Sequence, residues 1–327
     1  MNRSSWILSL LVVLALGWAF AVSRSMDAPT GGDALLTVWK VPAGDISRIV
    51  YSAGQLQAVV QPLPSGTGRS PYLWITAKGL PAPGGGKTQA DAAEAFKGNS
   101  LAAQALTDLA HLQATRSLGP AAKIKLADYG LVGSTVSLTV EAKDALPLKV
   151  DLGMQALGGT SRYAIFNGVV YTLRQPQLAP LETARLLMDR DLFSFPVQRA
   201  ERIELRSGGR QRTLYALHGA SPVQAGWASS AKAQAGDPAQ LQWVIDLART
   251  KVQEYAAGDP ALPDPDPAAL DVKVFPTDNA PAATLRLAGP QAGRYLARSS
   301  HTTRSVYLVP ELAKPLLEQA RLLVAKP

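Results

Sequence analysis

Two stretches of the chain end almost alike. Around Tyr171 the sequence reads VVYTL and then QPQLAPLETARLLM; around Tyr307 it reads SVYLV and then PELAKPLLEQARLLV. Earlier pairs keep the same order. Arg162-Tyr163-Ala164 matches Arg294-Tyr295-Leu296, Thr107-Asp108-Leu109-Ala110 matches Ile245-Asp246-Leu247-Ala248, and Ser47-Arg48-Ile49 matches Glu201-Arg202-Ile203. Matches in register at a separation of about 130–155 residues are the mark of one domain copied in tandem.

The 327 residues suit that division. After a short apolar N-terminus they leave two units of about 150 residues, each large enough to bury a core of its own. The expected layout is an anchor or signal segment over 1–25, a linker over 26–34, a first repeat over 35–192 and a second over 193–327.

Each repeat reads as strands, helix, strands, helix. In the first, alternating segments at Leu35–Val41, Ser47–Ser52, Gln55–Gln61 and Tyr72–Thr76 precede a helix capped at Ser100 and running to about Arg116, with Leu101, Ala105, Leu109 and Leu112 on one face. In the second, Asp237 caps a helix with Pro238 in its first turn, Gln240 completes a capping box, and Leu241, Val244, Ile245, Ala248 and Val252 form the stripe. Strands follow at Thr135–Val140, Leu148–Leu152, Tyr163–Phe166 and Val169–Leu173, and again at Val272–Phe275, Thr284–Leu287, Tyr295–Arg298 and Val306–Val309. Closing helices begin near Pro180 and Pro315. Strand runs joined by short loops predict an α+β fold, with antiparallel sheets and two packing helices per repeat.

The residues from Trp6 to Val22 carry no charge. As a helix they span about 25 Å, just under a hydrocarbon core of ~30 Å. Arg3 on the leading side favours a cytoplasmic N-terminus, which puts the bulk of the chain in the extracytoplasmic, periplasmic space. Two readings stand for this segment. Ala19-Phe20-Ala21 fits a cleavage site of a signal peptide; Trp6, Leu10, Leu14, Trp18 and Phe20 fit an uncleaved single-pass anchor in the cytoplasmic membrane.

The chain contains no cysteine, which excludes disulfides, a thiol nucleophile and Cys-based metal sites. A net charge of +8 without a basic stripe or reader motif does not point to nucleic acid. The run Pro81 to Thr88 ends like a phosphate-binding loop, but Pro81 stands where that loop needs glycine and Pro83 removes a donor, so no nucleotide site is expected. His111, His218 and His301 have no partner at metal-ligand spacing and read as isolated, with His301 in a polar turn. Asp128 sits in a turn closed by Gly130, and Asp189 and Asp191 flank Arg190 at what reads as a solvated helix end. No cofactor, metal or catalytic set is expected. Arg185, Arg199, Arg202, Arg206, Arg210 and Arg212 gather where the repeats meet, as a docking face for an acidic partner.

The anchor, the strand around Asp45-Ile46-Ser47-Arg48-Ile49, the turn Leu126-Ala127-Asp128-Tyr129-Gly130-Leu131, the strand ends Arg162-Tyr163 and Val170-Tyr171, and the run Ala184 to Phe193 together resemble the bacterial family called domain of unknown function 4340. The resemblance spans nearly the whole chain and is densest from Ile124 to Leu205. It implies a membrane-anchored accessory subunit of the kind that accompanies gliding-motility (GldG-like) ABC transporter components, and it supplies no catalytic residues. The function expected is a non-catalytic extracytoplasmic scaffold of an envelope complex, with an ABC transporter permease as partner. The alternatives are a periplasmic solute- or polymer-binding protein and an envelope hydrolase using paired carboxylates.

Overall fold

The computed structural model of the chain describes residues 35–64, 71–80, 93–217, 226–263, 269–277 and 280–325. The apolar N-terminal run with Trp6, Leu10, Leu14, Trp18 and Phe20, the loop 81–88 and His218 lie outside the described residues. Among the described residues no helix is long and apolar enough to cross a membrane.

The first ten strands are β1 (Leu36–Lys40), β2 (Ile46–Ala53), β3 (Leu56–Leu63), β4 (Tyr72–Lys78), β5 (Glu94–Lys97), β6 (His111–Pro120), β7 (Val136–Ala142), β8 (Leu148–Gln155), β9 (Ser161–Phe166) and β10 (Val169–Arg174). Helix α1 (Ser100–Ala110) follows β5, and α2 (Gln175–Glu182) follows β10. The second group comprises β11 (Ala200–Ser207), β12 (Arg210–Leu217), β13 (Gly226–Ala228), α3 (Pro238–Arg249), β14 (Val252–Tyr255), β15 (Leu270–Pro276), β16 (Ala283–Leu287), β17 (Tyr295–Ser299), β18 (Val306–Leu308) and α4 (Pro310–Ala325). The strands form two sheets, ordered β1-β6-β10-β9-β8-β7-β2-β3-β4-β5 and β13-β12-β11-β15-β16-β17-β18-β14. Every pairing is antiparallel.

Taken from its β14 edge, the second sheet repeats the order of the first from β6 to β4, strand for strand. The four matched sequence pairs fall on equivalent elements: β2 and β11, α1 and α3, β9 and β17, β10 and β18. β4 and β13 each carry a buried tryptophan, Trp74 and Trp227, but one register position apart. β1 and β5 are additions at the two edges of the first sheet.

Alternation sets the register. In β2 Ile49 and Tyr51 are buried, and in β11 Ile203, Leu205 and Ser207 are, so a shift by one residue would turn every one of them to the wrong face. Asn167 and Gly168, both at positive φ, make the tight turn between β9 and β10, the hairpin chemistry that an Asn-Gly pair provides.

The helices differ in detail from the sequence expectation. α1 ends at Ala110, six residues before Arg116, because Leu112 and Ala114 are buried by strand alternation in β6 beside β1 and β10. Its cap is Asn99, whose Oδ1 accepts from the N–H groups of Leu101 and Ala102. The closing helices start at Gln175 and Pro310, so Pro180 and Pro315 stand inside them. Pro176 and Pro310, in the first turn, occupy the place where the missing N–H costs nothing. In α3 the buried face is Gln240, Trp243, Val244 and Leu247, while Leu241 is exposed and Val252 belongs to β14. The cap at Asp237 holds, with its Oδ1 accepting from the N–H of Ala239 at 2.8 Å. Trp243 donates its indole N–H to the carbonyl of Leu316 at 3.0 Å and so ties α3 to α4.

The two sheets meet through the segment after α2. The carbonyl of Leu187 accepts from Asn99 N–H at 2.8 Å, Asp189 N–H donates to the carbonyl of Lys97 at 2.8 Å, and Met188 bridges Gly98. On the other side the carbonyl of Arg190 accepts from Val252 N–H at 2.9 Å. The linker therefore covers the edge at β5 and the edge at β14 together, leaving neither as an open row of unpaired groups there. One apolar cluster runs through this joint, from Ile49 and Phe96 through Leu187, Leu192 and Phe193 to Val252 and Leu308.

Candidate functional site

The joint holds Asp189, the one charged residue among the buried residues described. Asp189 comes from the linker, Lys97 from the end of β5, and His301 from the turn between β17 and β18. One carboxylate oxygen, Oδ2, lies 2.8 Å from His301 Nε2 and 3.2 Å from Lys97 Nζ. The other, Oδ1, accepts from the N–H of Asp191 at 3.1 Å. Lys97 Nζ also donates to the carbonyl of His301 at 2.9 Å, and the Tyr255 hydroxyl donates to the carbonyl of Asp189 at 3.2 Å. Only 11% of the Lys97 and Asp189 side chains is exposed, so the pair sits in a medium where a lost partner is costly.

The turn that delivers His301 is itself knit by buried hydroxyls. Ser299 Oγ accepts from the N–H groups of His301 and Thr302, and Thr302 Oγ1 accepts from the N–H of Ser299. Next to it Arg304 lays its guanidinium 4.1 Å above the Trp74 ring, and Trp74 meets Tyr255 edge-on at 5.8 Å. Residues of both sheets thus interdigitate around one ion cluster.

Burial pulls the carboxyl of Asp189 upward, but the hydrogen bond and charge of His301, the Asp191 N–H and the charge of Lys97 outweigh it and hold its pKa below the usual value. Burial lowers the Lys97 ammonium, with Asp189 pulling the other way. Burial, then the charges of Asp189 and Asp191, push the Tyr255 hydroxyl up. The cluster is thus an ionised carboxylate shared by a lysine and a histidine across a domain joint, and it acts as a lock. Among the described residues no group of three His, Asp or Glu side chains could hold a metal ion.

This placement corrects two sequence expectations. Asp189 does not end a solvated helix: α2 stops at Glu182, a short turn spans Ala184–Leu187, and Asp189 lies beyond both and is buried. His301 does occupy a polar turn, but it is partnered. Asp191 is exposed and bonds Lys251 Nζ at 2.5 Å, and Asp128 is exposed and pairs with Lys125 at 3.2 Å. Asp128 lies within the turn Leu126–Tyr129, closed by Gly130 at φ 65°, as its sequence suggests. His111, the first residue of β6, meets Thr37 Oγ1 through Nε2 at 3.1 Å. Lys97, Trp74, Tyr255 and Arg304 carried no local signal, because each gains its meaning from a partner far along the chain.

The arginines divide among several surroundings. Arg185 bonds Glu94 on β5. Arg190 donates to the carbonyls of Val252 and Gln253 on β14. Arg210 and Arg212 lie on the helix side of β12 and donate to the carbonyls of Ala325 and Leu323, where the C-terminal end of α4 favours cations. Arg199 is exposed at the end of the short turn Val197–Arg199. Arg202 stacks 3.9 Å above Phe275 and stands 3.7 Å from Glu204.

Arg206 faces the open side of the second sheet, where the structure forms a groove of about 920 Å³. Its floor includes Glu204, Arg206, Asp271, Lys273, Thr284 and Arg286. Ala261 and Leu262 also line it, and the chain around them, from Asp259 to Pro263, is held in place by hydrogen bonds. Asp259 Oδ1 accepts from Ser305 N–H at 2.8 Å, Ser305 Oγ donates to the carbonyl of Pro260 at 2.7 Å, and the Pro263 carbonyl accepts from Arg286 at 3.0 Å.

The fold and joint define an α+β protein of two antiparallel sheets closed on each other by a shared linker. Residues 93–273, more than half of the chain and including Lys97, Asp189 and Tyr255 of that joint but not His301, match the family described as Domain of unknown function (DUF4340), and the chain belongs to it. No curated protein and no solved structure matches the chain.

Proposed function

We propose that this protein, built by duplication of one α+β domain, is a non-catalytic accessory or scaffold protein. In this reading the N-terminal apolar run anchors it in the bacterial cytoplasmic membrane, and the bulk of the chain is extracytoplasmic. Its partner is an ABC-transporter-type envelope complex, reached by contact between surfaces. The observation that carries this reading is the internal pairing of the joint: Asp189, Lys97 and His301 satisfy one another across the two sheets. Polar groups spent on holding two domains in a fixed relation suit a rigid contact surface better than a reaction centre. The apolar run and the family's membrane-anchored pattern support the location and the partner class.

Purification of the tagged full chain from native membranes tests the reading. Recovery of an ABC permease or its ATPase is expected; recovery of no transporter or envelope protein overturns it. A C-terminal alkaline phosphatase fusion tests the location: activity is expected, and an inactive fusion with a fluorescent C-terminal reporter in the cytosol contradicts it. A second reading, binding of a solute or polymer, is favoured by the groove on the open face of the second sheet.

A further inference from the structure

The two sheets share a strand order but not the chemistry of their open faces. In β11 and β15, Glu204 lies opposite Lys273 and Arg206 opposite Asp271. At the same register of β2 and β7, Val50 lies opposite Thr139 and Ser52 opposite Ser137. The next strand continues the contrast, with Arg286 beside Asp271 where the first sheet has Asp151 beside Ser137. The sheet forms with uncharged residues at the four equivalent β2 and β7 positions, so pairing of the strands does not require the charges of the second.

Within the groove most of those charges are matched. Arg286 lies 3.7 Å from Asp271, Arg298 lies 3.4 Å from Asp259, and Glu204 has Arg202 at 3.7 Å. Arg206 and Lys273 are both exposed and make no ion pair among the described residues. They stand diagonally across β11 and β15, a spacing of about 7–8 Å in antiparallel sheets. Side chains two residues apart on an extended peptide, both on one face, are about 6.6 Å apart.

We propose that this groove binds an extended acidic peptide segment of a partner protein, with two carboxylates at i and i+2 engaging Arg206 and Lys273. Arginine offers a planar fork to one carboxylate and lysine a point charge to the other. Glu204 and Asp271 on the same floor repel a continuous polyanion, which favours spaced carboxylates over a phosphate backbone. Ala261 and Leu262, which also line the groove, offer an apolar lip to a neighbouring side chain of the peptide. The proposal rests on the reading of this protein as one that works by contact, and it names the chemistry of that contact.

Fluorescence anisotropy of the full chain in detergent tests it, using a labelled ten-residue peptide of alternating Glu and Thr and a control of alternating Gln and Thr. Saturable binding of the Glu peptide is expected, weakened about tenfold or more by Arg206→Gln with Lys273→Gln and by added salt. The Gln peptide is expected to bind no better than the double variant binds the Glu peptide. Equal binding of both peptides, equal binding by the variant, or no binding at millimolar protein overturns the proposal. So does displacement of the peptide by inorganic phosphate at concentrations similar to its own, which would make the site a simple anion site. Thermal melts check that the variant folds, and Lys273→Glu alone provides a second reading of the same effect. If the peptide fails while native membranes still yield a transporter partner, only the groove assignment falls. If the peptide binds and no envelope partner is recovered, the groove stands and the accessory role falls.

Discussion

Asp189 and His301 stand 2.8 Å apart although 112 residues separate them in the chain. Lys97 completes the contact from the first sheet, so three segments that share no local sequence logic are joined by one carboxylate. The consequence is mechanical: the relative position of the two sheets depends on a charge that is nearly out of water.

Replacement of Asp189 by Asn leaves Lys97 with a buried charge and no counter-ion. The loss expected is about 3–5 kcal/mol of unfolding free energy, the range for breaking a buried pair from one side. Urea denaturation followed by tryptophan fluorescence measures it. Lys97→Met combined with Asp189→Leu should recover a large part of the loss, and equal destabilisation by the double and single variants would contradict a role as a charge lock.

Acid should unlock the joint. The carboxyl of Asp189 is held below its ordinary value despite burial, chiefly by His301 and then by the Asp191 N–H and Lys97. A group whose folded pKa is depressed contributes stability that is fully present above its unfolded value of about 3.9 and is lost as pH falls through the folded value. Denaturation midpoints taken between about pH 2 and pH 6 should therefore fall more steeply in the wild-type chain than in Asp189→Asn. Parallel curves would show that the carboxylate is not the group responsible.

Asn99 has two duties that substitutions can separate. Its Oδ1 caps α1, and its Nδ2 donates to the linker carbonyls of Leu186 at 2.8 Å and Met188 at 3.2 Å. Asn99→Ala should cost about 1–2 kcal/mol through loss of the cap. Asn99→Asp keeps the cap but faces carbonyls with an acceptor, so hydrogen exchange at the amides of Leu187 to Arg190 should rise while α1 stays protected. Unchanged exchange in the linker would limit Asn99 to capping.

Gly153 in β8 passes directly beneath the turn that contains Asp128 and Gly130. A Cβ there would fall 2.2 Å from the carbonyl oxygen of Tyr129 and 3.1 Å from the Leu131 side chain. Gly153→Ala should destabilise by about 1–3 kcal/mol, because backbone must move to admit the methyl group. Thermal unfolding provides the test, and Gly133→Ala, which has open space but a positive φ of 66°, serves to gauge local backbone strain alone.

Much of the scaffold was legible from residue order. The matched pairs at Tyr171 and Tyr307 and at Arg162 and Arg294 fall on equivalent strands, and alternation located most of those strands to within a residue or two. The expectation failed where one pattern imitates another. Leu109 and Leu112 fit a helical face, yet Leu112 is a buried strand residue because β6 is needed between β1 and β10. The short strands β5, β13 and β14 have three or four residues each, too few for periodicity to register.

By itself the sequence determined the repeated α+β plan, since strand alternation, caps and turn residues act over a few neighbours and need no distant partner. Tertiary structure alone decided which charges matter. Asp189 and His301 look ordinary in their own segments, and only the closure of one sheet edge on the other removes the water that would screen them. Arg206 and Lys273 likewise become a pair only when β11 and β15 lie side by side, since the spacing of two side chains across strands is a property of register that chain order does not contain.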